Sequence, residues 1–303
     1  MYLPNGGEIF IYMPVVVCKC SHIITLVIIC MERFVNRMRC RRLSVIIGSI
    51  VIFFAFILGV PLPVYAEGLP PHLIQTVTEQ DIYEGMLALG YLETPVLETE
   101  DCGRAFENAK DCVVRIQMGN AHGSGIVWEM APERIVIVTN RHVLDYWKEE
   151  NGYVHFPQGY DVDARILGVS KQFDVGFVAV DCNQFTYEKL QGIRYACVDE
   201  ESYESLQAGD LMFLIDPGSV GEQAQYYDGS VGDPYRYIAD FDAYMLYGHC
   251  FAKAGMSGGG TFDGRGYLIG MTTGGTPQYE TASVPLPDII TAYEEVVGTE
   301  TDH

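Results

Sequence analysis

From Cys112 onward the chain is a succession of short apolar runs, rich in β-branched residues and broken every few positions by Gly, Asp, Asn or Pro. "CVVRIQM", "GSGIVWEM", "RIVIVTN", "ARILGV" and "VGFVAV" come first, and "IRYACV", "DLMFLID", "AYMLYGHC" and "GYLIGMTT" form a second set. Runs of this length and residue type predict strands rather than helices. Helical patterns are confined to "HVLDYWKEE", the C-terminal "LPDIITAYEEVV" and a short stretch around Glu79–Leu89. Many short strands separated by turn signals predict an all-β sandwich or barrel. A break near Asn183–Gly192 divides the strands into two halves, and no repeat of about 20–50 residues is visible.

Upstream the pattern changes twice. Residues 67–101 are rich in Pro, Glu and Thr and, with the residues up to 109, read as a linker or pro-segment. Residues 1–66 form a leader. Within it, "MRCRRLSVIIGSIVIFFAFILGVPLPVYA" (38–66) has three arginines, then an apolar run from Val45 to Val60, then Pro61 and Pro63, and Val64 and Ala66 spaced like a cleavage site. That is the layout of a secretory signal peptide. It is also nearly long enough to span a bilayer, so cleavage and retention as a membrane anchor both stand. Residues 9–30 are apolar too, interrupted by Lys19, Ser21 and His22, and fit a start assigned upstream or a second membrane segment. Each reading places the chain beyond Glu67 outside the cytoplasm, secreted or at the cell surface.

Charge narrows the partners. The chain carries net −21 over 303 residues. Residues 1–66 hold six Lys/Arg and two Asp/Glu, which leaves 13 basic against 38 acidic residues, net −25, in the remainder. Such a surface repels phosphate backbones, so nucleic acid is not expected as a partner. Five of the nine cysteines (Cys102, Cys112, Cys182, Cys197 and Cys250) lie past the leader. An oxidising compartment permits disulfides, and Cys102 with Cys112 would close a short loop, although an odd number leaves at least one thiol over. No CxxC pair points to zinc, and no metal or organic cofactor is expected.

Three passages at predicted strand ends carry the candidate chemistry. His142 stands in "VTNRHVL" where a strand gives way to a helical turn, Asp174 in "KQFDVGFVAV" at the mouth of a strand, and Ser257 in "AGMSGGG" among glycines. Each has a bland reading: a capping histidine, a turn aspartate, a serine in a flexible loop. A phosphate-binding loop is a poor fit, because the Gly-Lys-Ser/Thr ending is missing. His122, His155 and His249 are the competing bases, with His249 in a strand-like run.

These passages resemble the trypsin-like peptidases. "GSGIVWEMAPERIVIVTNRHVL" resembles the GSGF…TNAHV segment of the bacterial HtrA/DegP protease domain, and "FDVGFVAV" its TDLAVLKV. "AGMSGGGTFDGRGYLIGMTTGG" resembles its GNSGGPLF…GEVIGINT, and "GDLMFLIDPG" stands where that family has a GD-hydrophobic-GNP strand. The likeness covers about residues 110–295 and defines a protease domain over 110–298. It implies two packed six-stranded β-barrels with an active site in the cleft between them, followed by a short C-terminal helix. It also implies a serine endopeptidase acting on protein or peptide substrates. In that scheme Ser257 is the nucleophile, His142 the base and Asp174 the residue that orients it, with the N–H groups of Gly255 and Ser257 as the oxyanion hole.

The departures from the family are specific. Met256 replaces the Asp or Asn usually found before the serine, which removes the salt bridge formed when a digestive zymogen is cleaved. Gly260 stands where proline is common. Phe251 occupies the position of the aspartate that selects Arg/Lys substrates, so with Thr273 and Gly274 on the pocket wall the specificity pocket is expected to be apolar or small. Too few residues follow Asp288 for a PDZ-like segment, so a lone protease domain is expected. The alternative is a catalytically silent member of the fold serving as a binding or adhesion module.

Overall fold

The computed structural model describes residues 77–147, 152–219 and 221–298. The signal-peptide and anchor readings of the leader lie outside them. Among the described residues no helix is long and apolar enough to cross a membrane.

The first half of the chain is one curled antiparallel sheet of seven strands: β1 (Val113–Met118), β2 (Ala121–Met130), β3 (Arg134–Thr139), β4 (Gly152–Phe156), β5 (Tyr160–Asp163), β6 (Arg165–Val169) and β7 (Gly176–Asp181). Their order is β5-β4-β1-β2-β3-β7-β6, so the histidine-bearing end of β3 lies beside the start of β7. The register Thr139↔Gly176 sets His142 and Asp174 on neighbouring strand ends. The second half closes into a six-stranded barrel of β8 (Leu211–Asp216), β9 (Gln225–Ile238), β10 (Ala243–His249), β11 (Gly260–Asp263), β12 (Leu268–Gly275) and β13 (Thr281–Pro285). The expected all-β fold of two β-units with a C-terminal helix is therefore present, with seven strands rather than six in the first.

Helices are few and short. They are α1 (Glu79–Ala88), α2 (Cys102–Ala109), α3 (Arg141–Leu144), α4 (Tyr187–Leu190), α5 (Glu200–Glu204) and α6 (Leu286–Val296). The α4 turn falls inside the break expected between the halves. Helix α6 starts with Pro at its first turn, where a missing N–H costs nothing. It packs against β6 and β7 of the sheet and β12 and β13 of the barrel. Its Tyr293 lies edge-on to Phe177 at 5.6 Å and donates to Glu129. Strands β3 and β7 are buried almost throughout instead of alternating.

Residues 77–109 do not run as a free tether. Thr78 and Asp81 form a reciprocal capping box that starts α1, and Asp101 caps α2 by accepting from Arg104 N. Tyr83, Leu92 and Ala105 are completely buried in the main hydrophobic cluster. Backbone bonds from Thr94 to Tyr195, Leu97 to Arg265 and Asp101 to Gly264 stitch the segment to the β-rich chain that follows it. The Pro- and Glu-rich composition concealed this, because only a few side chains in the segment point inward.

The Cys102–Cys112 disulfide is not formed; both thiols are free, as are Cys182, Cys197 and Cys250. Cys102 opens α2 and Cys112 lies beyond its other end. Ten residues of helix at about 1.5 Å each separate their Cα atoms by roughly 15 Å, far outside the reach of a disulfide. "IRYACV" is no strand either, and makes only isolated bridges from Tyr195 to Glu93 and from Val198 to Leu268. Conversely β9, with Asp, Gly and Pro in its run, is extended because β8 and β10 pair with it on both sides.

Replacing the buried Tyr83 by Ala is expected to destabilise the domain by about 3–5 kcal/mol, the usual cost of emptying a large aromatic site. Chemical denaturation monitored by tryptophan fluorescence should show this as an earlier midpoint, and an unchanged midpoint would mean that α1 is not part of the core.

Candidate active site

Each site residue sits where a regular element ends. Strand β3 stops at Thr139, and Asn140, in extended conformation, starts the single helical turn α3 with His142 inside it. Asp174 precedes β7 on a turn in which Ser170 Oγ accepts from the N–H groups of Gln172 and Phe173. The carboxylate of Asp174 meets His142 twice: Oδ1 accepts from the backbone N–H at 2.9 Å and Oδ2 faces ring Nδ1 at 2.7 Å. An ionised carboxylate can only accept, so Nδ1 carries the proton and Nε2 is left with a free lone pair. The bond to Asp174 raises the His142 pKa above the ordinary histidine value against the opposing effect of burial.

Ser257 belongs to the other half. The loop from Phe251 to Gly259 joins β10 to β11, and Met256 within it is buried with Met212, Leu246 and Ile269 in the core of the barrel. Lys253 O accepts from Met256 N at 3.2 Å, and Gly255 has φ +95, so residues 253–256 form a turn whose third residue is left-handed. Among the described residues, the N–H groups of Gly255 and Ser257 have no hydrogen-bond partner. The Ser257 hydroxyl donates to Thr273 O at 3.1 Å.

Two residues join the halves at this point. Ser124 on β2 donates its N–H to Ser257 O at 2.8 Å and its hydroxyl to Gly255 O at 2.7 Å. With both carbonyls held from the sheet side, the loop's free N–H groups are left for another acceptor. Asn140, wholly buried, donates to Asp174 O and to Thr273 Oγ1, each at 3.1 Å. Thr273 on β12, whose carbonyl accepts from the Ser257 hydroxyl, is thus joined to the turn that carries His142. Neither Ser124 nor Asn140 stood out as a site residue in the sequence. Their signals were the glycines around Ser124 and the asparagine two positions before His142.

Of the expected pocket residues, Gly274 lines a cavity of about 240 Å³ beside Ser257, with Ala252, Lys253, Ala254 and Gly275. Phe251 instead sets its ring against Tyr227 at 4.9 Å and Tyr279 at 5.6 Å. Thr273 turns its hydroxyl to Asn140. The cavity's cation, Lys253, is paired with Asp216 at 2.6 Å, a bond that raises the Lys253 pKa. The competing histidines lie elsewhere or play other parts: His155 pairs with Asp161 on the β4–β5 hairpin, and His249 lies edge-on to Tyr247. His122 abuts Gly255, with burial and the Arg115 cation holding its pKa below the usual range.

Residues 123–271 match the trypsin-like peptidase domain family, a span that runs from β2 into β12 and includes His142, Asp174 and Ser257. No curated protein matches the chain.

Gly258 bears the tightest approach in the loop. A Cβ there would lie 2.1 Å from Ser124 O and 2.3 Å from Thr139 Oγ1, at a φ of +87. Gly258→Ala is expected to cost at least about 1–3 kcal/mol through overpacking and backbone strain. Thermal unfolding should show a lowered midpoint, and a midpoint equal to the parent's would contradict the close seam.

Proposed function

The chain carries a trypsin-like peptidase domain, and on that premise we propose that it is an exported serine endopeptidase working through His142, Asp174 and Ser257. The observation that carries the reading is the pair of hydrogen bonds between His142 and Asp174 together with two N–H groups beside the Ser257 hydroxyl that have no partner among the described residues. Export rests on the layout of residues 38–66.

The reaction can be built from these atoms. The Ser257 hydroxyl donates to Thr273 O in the structure, so the reaction requires it to turn from that carbonyl to Nε2 of His142. Serine's oxygen attacks the peptide carbonyl carbon while its proton passes to Nε2. Asp174 accepts from the imidazolium that results and keeps the ring in place. The carbonyl's electron pair collects on oxygen, where the N–H groups of Gly255 and Ser257 donate to it, and each such donor is worth roughly 10²–10³ in rate. Collapse of the tetrahedral intermediate breaks the C–N bond, and the proton on Nε2 goes to the leaving amine. Water, deprotonated by the same nitrogen, then releases the acid from Ser257.

The cavity beside Ser257 supports a preference for small or apolar side chains on the acyl side. No carboxylate lines it, and Lys253 has its charge answered by Asp216. A Cβ on Gly275 would lie 2.8 Å from the Ala252 side chain, so the slot is narrow there.

A fluorophosphonate probe should label the folded chain on Ser257 and fail to label Ser257→Ala; no labelling of the folded parent would favour a silent binding module. The pH dependence gives a second test. His142 must be neutral to act as base, so kcat/KM should rise with pH through a midpoint above the ordinary histidine value. Asp174→Asn removes the bond responsible, so it should move that midpoint down and lower kcat by roughly 10⁴-fold. A fall under about tenfold with an unmoved midpoint would mean that another group orients the base.

A further inference from the structure

The turn that aims the Gly255 N–H depends on its own first residue. Residues 253–256 have the 1→4 bond from Met256 N to Lys253 O and a positive φ at Gly255, the marks of a type II turn. Flipping the central peptide, between Ala254 and Gly255, converts such a turn to type I. That peptide carries the Gly255 N–H, so the flip would swing the donor away from the groove. Glycine at 255 tolerates both forms, and among the described residues the flipping peptide has no hydrogen bond of its own. Its orientation is therefore set by its neighbours. On one side Ser124 Oγ holds Gly255 O. On the other, Lys253 is the one polar side chain of the turn with a fixed partner among the described residues: its Nζ lies 2.6 Å from Asp216 Oδ2.

Asp216 is a firm anchor. It is the last residue of β8, its side chain is 12% exposed, and its other oxygen accepts from Gly218 N at 2.9 Å. Gly218 O in turn accepts from Arg115 on β1 of the first sheet, at 3.2 Å. The aspartate that precedes the nucleophile in many relatives is here Met256, an apolar residue buried in the barrel core, so the loop has no carboxylate of its own to receive a charge.

We propose that the Lys253–Asp216 ion pair is the positioning element that keeps the 253–256 turn in the form that presents the Gly255 N–H to the oxyanion. Lys253 and Asp216 touch no reacting atom; they act through the turn. The assignment rests on the serine peptidase reading above, and it makes the oxyanion site complete in the chain as folded, with no new terminus required. The reach of the Lys253 stem across the turn is what lets one side chain do this.

The test compares Lys253→Met, Asp216→Asn and Lys253→Arg with the parent by steady-state kinetics on a peptide amide. It also measures equilibrium binding of the same peptide in the Ser257→Ala background. Loosening a donor worth roughly 10²–10³ in rate is expected to lower kcat about 10–100-fold in the first two variants. KM and peptide binding should stay within about threefold, and Lys253→Arg, which keeps the cation, should recover most of kcat. Inhibition by a peptide boronate, which places an oxygen at the oxyanion position, should weaken in parallel with kcat. Unchanged kcat would overturn the proposal, and so would an equal loss in kcat and in peptide binding, which marks a merely structural pair. A parent that neither turns over substrate nor takes a fluorophosphonate label fails at the functional reading instead, and the two failures are thereby told apart.

Discussion

One residue of the first sheet fixes two carbonyls of the second barrel, and the site is organised around that seam. Ser124 donates from its backbone to Ser257 O and from its side chain to Gly255 O, while its own carbonyl accepts from Thr139 Oγ1 at 2.7 Å. Those carbonyls belong to the peptides that carry the Met256 and Gly258 N–H groups, which donate to Lys253 O and Thr272 O; the intervening peptides leave the N–H groups of Gly255 and Ser257 without a partner among the described residues. The seam is close: a Cβ on Gly123 would lie 3.2 Å from Ser257 O, and one on Gly258 would lie 2.1 Å from Ser124 O.

The residues of the candidate site are divided between the halves. His142 and Asp174 come from adjacent strand ends of the sheet, and Ser257 and its N–H donors from a loop of the barrel. Asn140 spans the division, at a cost. Its Oδ1 is buried without a partner among the described residues, and such an orphan acceptor costs about 1–3 kcal/mol. The two bonds from its Nδ2, to Asp174 O and Thr273 Oγ1, tie the turn before β7 to strand β12. Helix α6 reinforces the same junction from the outside, packing on strands of both halves.

The glycine loop is held by three different kinds of force. Met256 buries apolar surface in the barrel core, Ser124 supplies directional hydrogen bonds, and Lys253 adds a charge-assisted contact with Asp216. The first fixes the depth of the loop and the second its rotation about the seam. The third acts on the first residue of the 253–256 turn. A loop rich in glycine has little conformational preference of its own, so its shape has to come from such contacts.

The runs that became β1 to β3, β6 to β8, β10 and β12, the break between the halves, and the His, Asp and Ser passages stood out in the sequence, whereas β4, β5, β9, β11 and β13 did not. Hydrophobic patterning and glycine placement are local properties, and strands and tight loops leave a local mark. The Glu79–Ala88 helix was readable for the same reason, through Thr78 and Asp81. What tertiary structure decided was every contact between residues distant in the chain. That the segment before β1 belongs to the core depended on where Tyr83 and Leu92 found partners, and composition does not record partners. The Cys102–Cys112 pairing failed because a helix separates the two thiols, a matter of three-dimensional distance rather than spacing. The parts of Ser124, Asn140, Lys253 and Asp216 were silent for one physical reason: each acts by a hydrogen bond or charge across the fold, and such a bond has no signature until folding brings its two ends together.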